Sequence, residues 1–170
     1  MEKDKEYLAI ANYVKKYSTC KSRNVGAVIV KDDKILSIGF NGAPDNYNAC
    51  TSCYRRDQGF KSGTNLDKCY AVHAEQRALL DALRNGHDLS GATIYVNCSP
   101  CTTCAKLLIH LGINNIITSS YYPDEFSIDL MKNGKVNLKV IEEDLPELND
   151  ELKLFLDNYY EEKGIVKILN

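Results

Sequence analysis

The sequence predicts an α/β fold: a three-layer α-β-α arrangement around one mixed five-stranded sheet. Three observations predict it. Helical and strand-like apolar patterns follow one another in the order α-β-β-α-β-α-β-α-β-α. The first two β-runs are separated only by the polar Lys31-Asp32-Asp33-Lys34, which reads as a hairpin turn. From residue 71 onward helix and strand alternate, which implies parallel strands joined by right-handed crossovers. A chain of 170 residues with 44% apolar content is one domain's worth, with enough material for a core.

Leu8, Ala11 and Val14 recur at helical spacing and predict a first helix over 3–17. Val25 to Val30 and Ile35 to Phe40 are the two strands of the hairpin. Residues 41–69 are irregular, rich in Gly, Asn, Asp and Cys, and so long a segment in a compact domain is functional or pinned. A helix follows from Ala71 to Arg84 and ends at Asn85-Gly86, then a strand from Thr93 to Cys98. Ser99-Pro100 is expected to open the next helix, with Ser99 as N-cap and Pro100 in the first position, running to Leu111 and stopping at Gly112. Asn115 to Ser120 and Val136 to Ile141 are strands, with a helix from Pro123 to Lys132 between them. A last helix covers roughly 147–160. The whole of 1–170 is expected to be a single domain, with an insert at 41–70 and a helical C-terminal extension over 143–170.

A net charge of −2 and the lack of a basic tract argue against a nucleic-acid polymer as partner. The start, Met1 to Glu6, is charged with no apolar stretch behind it, so no ordinary signal peptide is expected. No run is long enough to cross a bilayer, and the expected location is the cytoplasm. Seven cysteines in a reducing compartment then call for metal ligation rather than disulfides.

The decisive residues are His73-Ala74-Glu75 and Pro100-Cys101-Thr102-Thr103-Cys104, each at the start of a predicted helix. Cys101 and Cys104 are three apart and share a helix face. With His73 they make three tetrahedral ligands and leave a fourth position for water, the pattern of catalytic Zn2+. A helix N-terminus favours the thiolates that zinc needs. Glu75 is near His73 yet need not ligate, and it is the candidate general acid–base. H-x-E followed by P-C-x-x-C is the signature of the zinc deaminases, in which water attacks C4 of cytosine or C6 of adenine and ammonia leaves.

Over roughly residues 5–142 the chain resembles the deoxycytidylate (dCMP) deaminase family within the zinc-dependent cytidine/deoxycytidylate deaminase superfamily. The resemblance rests on Val25-Gly26-Ala27-Val28-Ile29-Val30, Gly39-Phe40-Asn41-Gly42-Ala43-Pro44, Val72-His73-Ala74-Glu75 and Ser99-Pro100-Cys101-Thr102-Thr103-Cys104-Ala105-Lys106, with Gly112-Ile113 before the next strand. It implies a cytidine-deaminase-like fold, hydrolysis of dCMP to dUMP on the way to thymidylate, a homo-oligomer that is often a hexamer, and control by dCTP and dTTP. It further implies that Asn41 bonds the deoxyribose and that the Ala74 N–H reads the cytosine edge. Lys21, Ser22, Arg23 and Asn24 are candidates for the 5′-phosphate because they offer charged and hydroxyl donors, the alternative being a solvated loop. Tyr122 is a candidate pocket wall, the alternative being packing. Two positions depart from many family members: Gln76-Arg77 stands where Met-Asn is usual, and Phe40 where Tyr is usual.

Cys20, Cys50, Cys53 and Cys69 would make a closed, structural zinc site that pins the insert, the alternative being free thiols. Some family members carry a second zinc in this region. Cys98 is expected to be a small buried apolar side chain. His87 and His110 suggest surface or packing roles. The competing readings are a deaminase of another free base, nucleoside or nucleotide (cytidine, dCTP, guanine), a deaminase of adenosine in tRNA, and a non-catalytic zinc-binding homologue. Near-neutral charge opposes the tRNA reading, and Glu75 opposes the non-catalytic one.

Overall fold

A computed structural model describes residues 2–162. Its elements run α1 (Glu2–Val14), β1 (Gly26–Lys31), β2 (Lys34–Phe40), α2 (Tyr54–Asp57), α3 (Ala74–Arg84), β3 (Thr93–Val96), α4 (Thr102–His110), β4 (Asn115–Thr118), α5 (Glu125–Asn133), β5 (Asn137–Val140) and α6 (Asp150–Glu162). Single 3-10 turns follow α1 at Lys15–Tyr17 and precede α3 at Leu66–Lys68. The last part of the expected 143–170 extension, from residue 163, lies outside the described residues.

The strands form one mixed sheet in the order β2-β1-β3-β4-β5. β1 pairs antiparallel with both β2 and β3, while β3, β4 and β5 are mutually parallel, as the helix–strand alternation predicts. The β1–β2 turn has Asp32 and Asp33 both at positive φ, 51° and 58°, the left-handed geometry that a tight two-residue hairpin needs.

Side-chain alternation along the strands divides the core into two layers. Ala27, Ile29, Ile94, Val96 and Ile116 point to one face, where Ala78, Leu79 and Ala82 of α3, Leu108 of α4 and Met131 of α5 cover them. Val28, Val30, Tyr95 and Ile117 point to the other, against Leu8, Ala11 and Val14 of α1 and Leu156 and Tyr160 of α6. The resulting layers are α1 and α6, the sheet, and α3 to α5.

Glycine permits close approach between the sheet and α3. A Cβ at Gly39 of β2 would lie 2.3 Å from the Ala74 carbonyl oxygen and 2.6 Å from the Ala78 nitrogen. The first turn of α3 is therefore seated directly on the sheet backbone.

Helix starts differ from the sequence expectation. α3 begins at Ala74 rather than Ala71, with His73 as its extended N-cap. α4 begins at Thr102 with Cys101 as N-cap, so Ser99 does not cap it and Pro100 is not its first residue. Ser99 instead bridges loops: its N–H donates to Ser120 O and its hydroxyl accepts from the Tyr122 N–H. The cap that α4 receives comes from Asp124, whose carboxylate accepts from the Thr102 N–H at 2.7 Å and from its hydroxyl at 2.8 Å. No local pattern announces a cap 22 residues away.

Candidate active site

His73 and Cys101 occupy equivalent places, each the N-cap of a helix packed on the same face of the sheet. Cys104 lies three residues into the second start. The fold brings the three side chains together: the His73 Nδ1 is 3.4 Å from Cys101 Sγ and 3.3 Å from Cys104 Sγ. Zinc held tetrahedrally at its usual N and S bond lengths would set such N···S separations at about 3.5 Å. Among the described residues this trio alone brings three His, Cys, Asp or Glu donors within 4.8 Å of one another. Cys104 is fully buried and Cys101 nearly so. The donor set and its spacing thus fit a tetrahedral divalent cation with one position left over.

Several contacts fix this corner. The Gln76 side chain accepts from the His73 N–H at 3.0 Å, and Arg77 donates to the Phe40 and Ala43 carbonyls and pairs with Asp45. Gln76 and Arg77 therefore brace the α3 start. Opposite, Asp124 holds Thr102 and also caps α5 through the Ser127 N–H at 3.0 Å, while the buried Ser127 hydroxyl donates to Pro100 O at 2.6 Å. Cys101 is gripped between those two anchors.

The electrostatics suit metal and proton chemistry. A hydrogen bond from the Cys104 thiol, with the His73 imidazole adding to it, pulls the Cys101 thiol down to about 4. Cys104, beside that thiolate and deeply buried, is pushed up. A divalent cation between the sulfurs removes this conflict. Glu75, in the first turn of α3 and 5% exposed, is pushed up to about 7, burial being the main cause.

His73, Glu75 and Cys101 line a pocket. It opens beyond the carboxyl ends of β3 and β4, where ligands of open α/β sheets characteristically bind. The structure places the predicted residues unevenly. Asn41, Ala74, Ser22, Arg23 and Tyr122 line the pocket, whereas Lys21 and Asn24 are not among its walls. The Asn41 Oδ1 accepts from the Val25 N–H and Ser18 hydroxyl, and its Nδ2 donates to Arg23 O, which leaves one N–H for a ligand. The Arg23 guanidinium lies 5.1 Å from the Tyr122 ring and donates to the buried Cys98 Sγ at 3.1 Å, so Cys98 is a pocket wall as well as a small core residue.

Sequence reading missed the contribution of the insert. Arg55, Arg56 and Ser62 also line the pocket. Arg55 is buried and donates to the carbonyls of Thr64 and Lys61, while Arg56 donates to the Ser22 hydroxyl at 3.0 Å and to Phe60 O. With Arg23 they put three guanidinium groups on the pocket wall. The available signal was Tyr54-Arg55-Arg56-Asp57 following directly on a CxxC pair.

Cys20, Cys50, Cys53 and Cys69 are not drawn into a comparable cluster: no three of their sulfurs lie within 4.8 Å of one another. Burial, then the neighbouring Cys20, Cys69 and Cys53 thiols, raise the Cys50 thiol. His87 and His110 stand apart from both cysteine sets.

Comparison with known proteins follows the same lines. The model of the cytidine and deoxycytidylate deaminase zinc-binding region matches residues 1–120. A deoxycytidylate deaminase of a Mycobacterium phage is 39% identical over 127 residues, covering 72% of this chain and 94% of that one. The deoxycytidylate deaminase of Saccharomyces cerevisiae is 34% identical over 141 residues, 80% of this chain but 44% of its own length, so the chain spans less than half of the yeast relative. The crystal structure of dCMP deaminase from the cyanophage S-TIM5 in complex with dCMP and dUMP superposes with a TM-score of 0.69 at 26% identity, over 80% of this chain and 94% of that one.

Proposed function

The chain belongs to the cytidine and deoxycytidylate deaminase family, and from that membership we propose that it is a zinc-dependent hydrolase converting dCMP and water to dUMP and ammonia. The observation that carries the reading is the juxtaposition of a buried carboxyl, Glu75, with the His73, Cys101 and Cys104 donors beside a pocket that Arg23, Arg55 and Arg56 also line. A cytosine 5′-monophosphate has the matching chemistry: an amidine to be hydrolysed and a dianion to be held.

In this reading His73, Cys101 and Cys104 hold zinc. When bound, zinc supplies a nucleophile at neutral pH by lowering the pKa of a water from ~15.7 to about 7. Glu75 takes the proton of that water, passes it to N3 of the ring and then assists departure of the C4 amino group as ammonia. The Ala74 N–H, at the start of α3, is aimed at the base edge, and the free Asn41 N–H at the sugar. The arginines bind the phosphate through charge-assisted hydrogen bonds.

Cys20, Cys50, Cys53 and Cys69 form a second, structural zinc site in this proposal, supported by the influence of the Cys20, Cys69 and Cys53 thiols on Cys50, and binding would draw the four sulfurs closer together than they stand here. One zinc per chain, unchanged by Cys50→Ser, would overturn it. The described residues contain no helix long and apolar enough to cross a membrane. A reducing cytoplasm suits the thiolate ligands, and the partly exposed Leu80, Leu83 and Leu107 on α3 and α4 suit a homo-oligomer. Control by dCTP and dTTP rests on the family relation.

The deciding experiment is ammonia release by zinc-loaded protein from dCMP, dCTP, deoxycytidine, cytidine and guanine in parallel. dCMP should be the preferred substrate, and Glu75→Gln should retain zinc while losing turnover. Preference for an unphosphorylated nucleoside would refute the substrate, and activity in Glu75→Gln would refute the proton-transfer role.

A further inference from the structure

Ser62 is the one pocket-lining residue with a hydroxyl that is shut off from solvent and has no hydrogen-bond partner among the described residues. Enclosed polar groups are almost always paired, because leaving one unmade forfeits its hydration without return. The residue sits in a stretch of chain that is otherwise tightly fixed. On one side Arg55 holds the Lys61 and Thr64 carbonyls. On the other, Gly63 is set against Pro123. Gly63 has φ +81°, and a Cβ there would stand 2.4 Å from Pro123 O, so the loop is pressed against the Tyr122–Pro123 wall with no room for another side chain.

The neighbours name the chemistry that would satisfy the hydroxyl. Arg55, which holds the loop, lines the same pocket as Ser62, Arg23, Arg56, Ser22 and Tyr122. Three guanidinium groups call for a multiply charged oxyanion, and a hydroxyl beside them can only add a donor to it. Resting on the reading of the pocket as a nucleotide site, we propose that the Ser62 hydroxyl donates to the 5′-phosphate and is a specificity-determining residue for monophosphate over nucleoside. Its position in the insert makes that insert part of the substrate site as well as a covering loop.

The test uses the zinc-loaded full chain and its Ser62→Ala variant. Loss of a hydrogen bond to a charged phosphate should raise KM for dCMP about tenfold or more. It should leave kcat nearly unchanged and leave kcat/KM for deoxycytidine as it was. The unliganded variant should melt at the same temperature as the parent or higher, since an unpaired enclosed hydroxyl has been removed. An unchanged KM for dCMP would overturn the proposal. So would equal losses on both substrates with a lowered melting temperature, the mark of a structural serine. Should the parent not deaminate dCMP, the substrate reading fails, and Ser62 is then judged by thermal shift with deoxyribose 5-phosphate. Stabilisation of the parent but not of Ser62→Ala upholds the contact, and no stabilisation of the parent refutes it.

Discussion

Replacing Asp124 by alanine should weaken the metal corner without touching a ligand. One carboxylate serves two helix starts: it accepts from the Thr102 N–H and hydroxyl at the head of α4 and from the Ser127 N–H at the head of α5. Loss of an N-cap costs about 1 kcal/mol. The bonds to Thr102 are to a charged acceptor in a half-buried place and are worth about 1.5–3 kcal/mol. Together they set an expected loss of about 2–4 kcal/mol in urea unfolding. Thr102 follows Cys101, so loosening it also disorders a ligand, and an outer-shell loss of this kind lowers metal affinity about 10- to 100-fold. Affinity is read by competition with a chromophoric chelator. Asp124→Asn, which keeps one acceptor oxygen, should fall between. Parental stability and zinc affinity in Asp124→Ala would refute the claim that this carboxylate sets the Cys101 geometry.

Gly39→Ala pushes a methyl into the Ala74 carbonyl and should destabilise by about 1–3 kcal/mol in denaturant unfolding, since neither backbone can yield without moving α3. Partial burial raises the Asp157 carboxyl, but hydrogen bonds from Lys16, Tyr17 and Tyr13 outweigh it and hold the group below its ordinary 3.8. Its contribution is therefore present at neutral pH and lost as pH falls through that lowered value. The stability gap between parent and Asp157→Asn, about 1 kcal/mol or less for so exposed a network, should close toward pH 3. A gap that widens in acid would reverse the sign. Arg55→Lys keeps the charge but loses the fork that holds two carbonyls. Trypsin should then cut after Lys61 about tenfold faster, and an unchanged rate would show that the loop is held by something else.

The metal trio was legible because its signal is local and doubled: a His and a CxxC, each where a helix begins. Strand direction, though not strand order, followed from the hairpin and from the helix–strand alternation after residue 71. The errors share one cause. Ser99-Pro100 looks like a helix start by every local preference, yet tertiary approach of Asp124 gives Thr102 the better cap. Residues 54–64 carry no periodicity, so beyond the basic pair after the CxxC nothing in the chain announces that Arg55, Arg56 and Ser62 join Ser22 and Arg23 on the pocket wall. Lys21 illustrates the converse: a cation in the right segment that the local backbone turns away from the pocket while Ser22 and Arg23 turn toward it.

The 61–64 loop is short and held by few bonds, and this gives its opening a distinctive heat signature. Peeling it from the pocket breaks the guanidinium–carbonyl bonds of Arg55 and wets far less surface than unfolding the domain does. The heat-capacity change of opening scales with the surface that is wetted. The local opening should therefore have a much smaller heat-capacity change than global unfolding. Access to the pocket would then vary with temperature along an almost straight van't Hoff line, through the same range in which the stability of the sheet behind it curves.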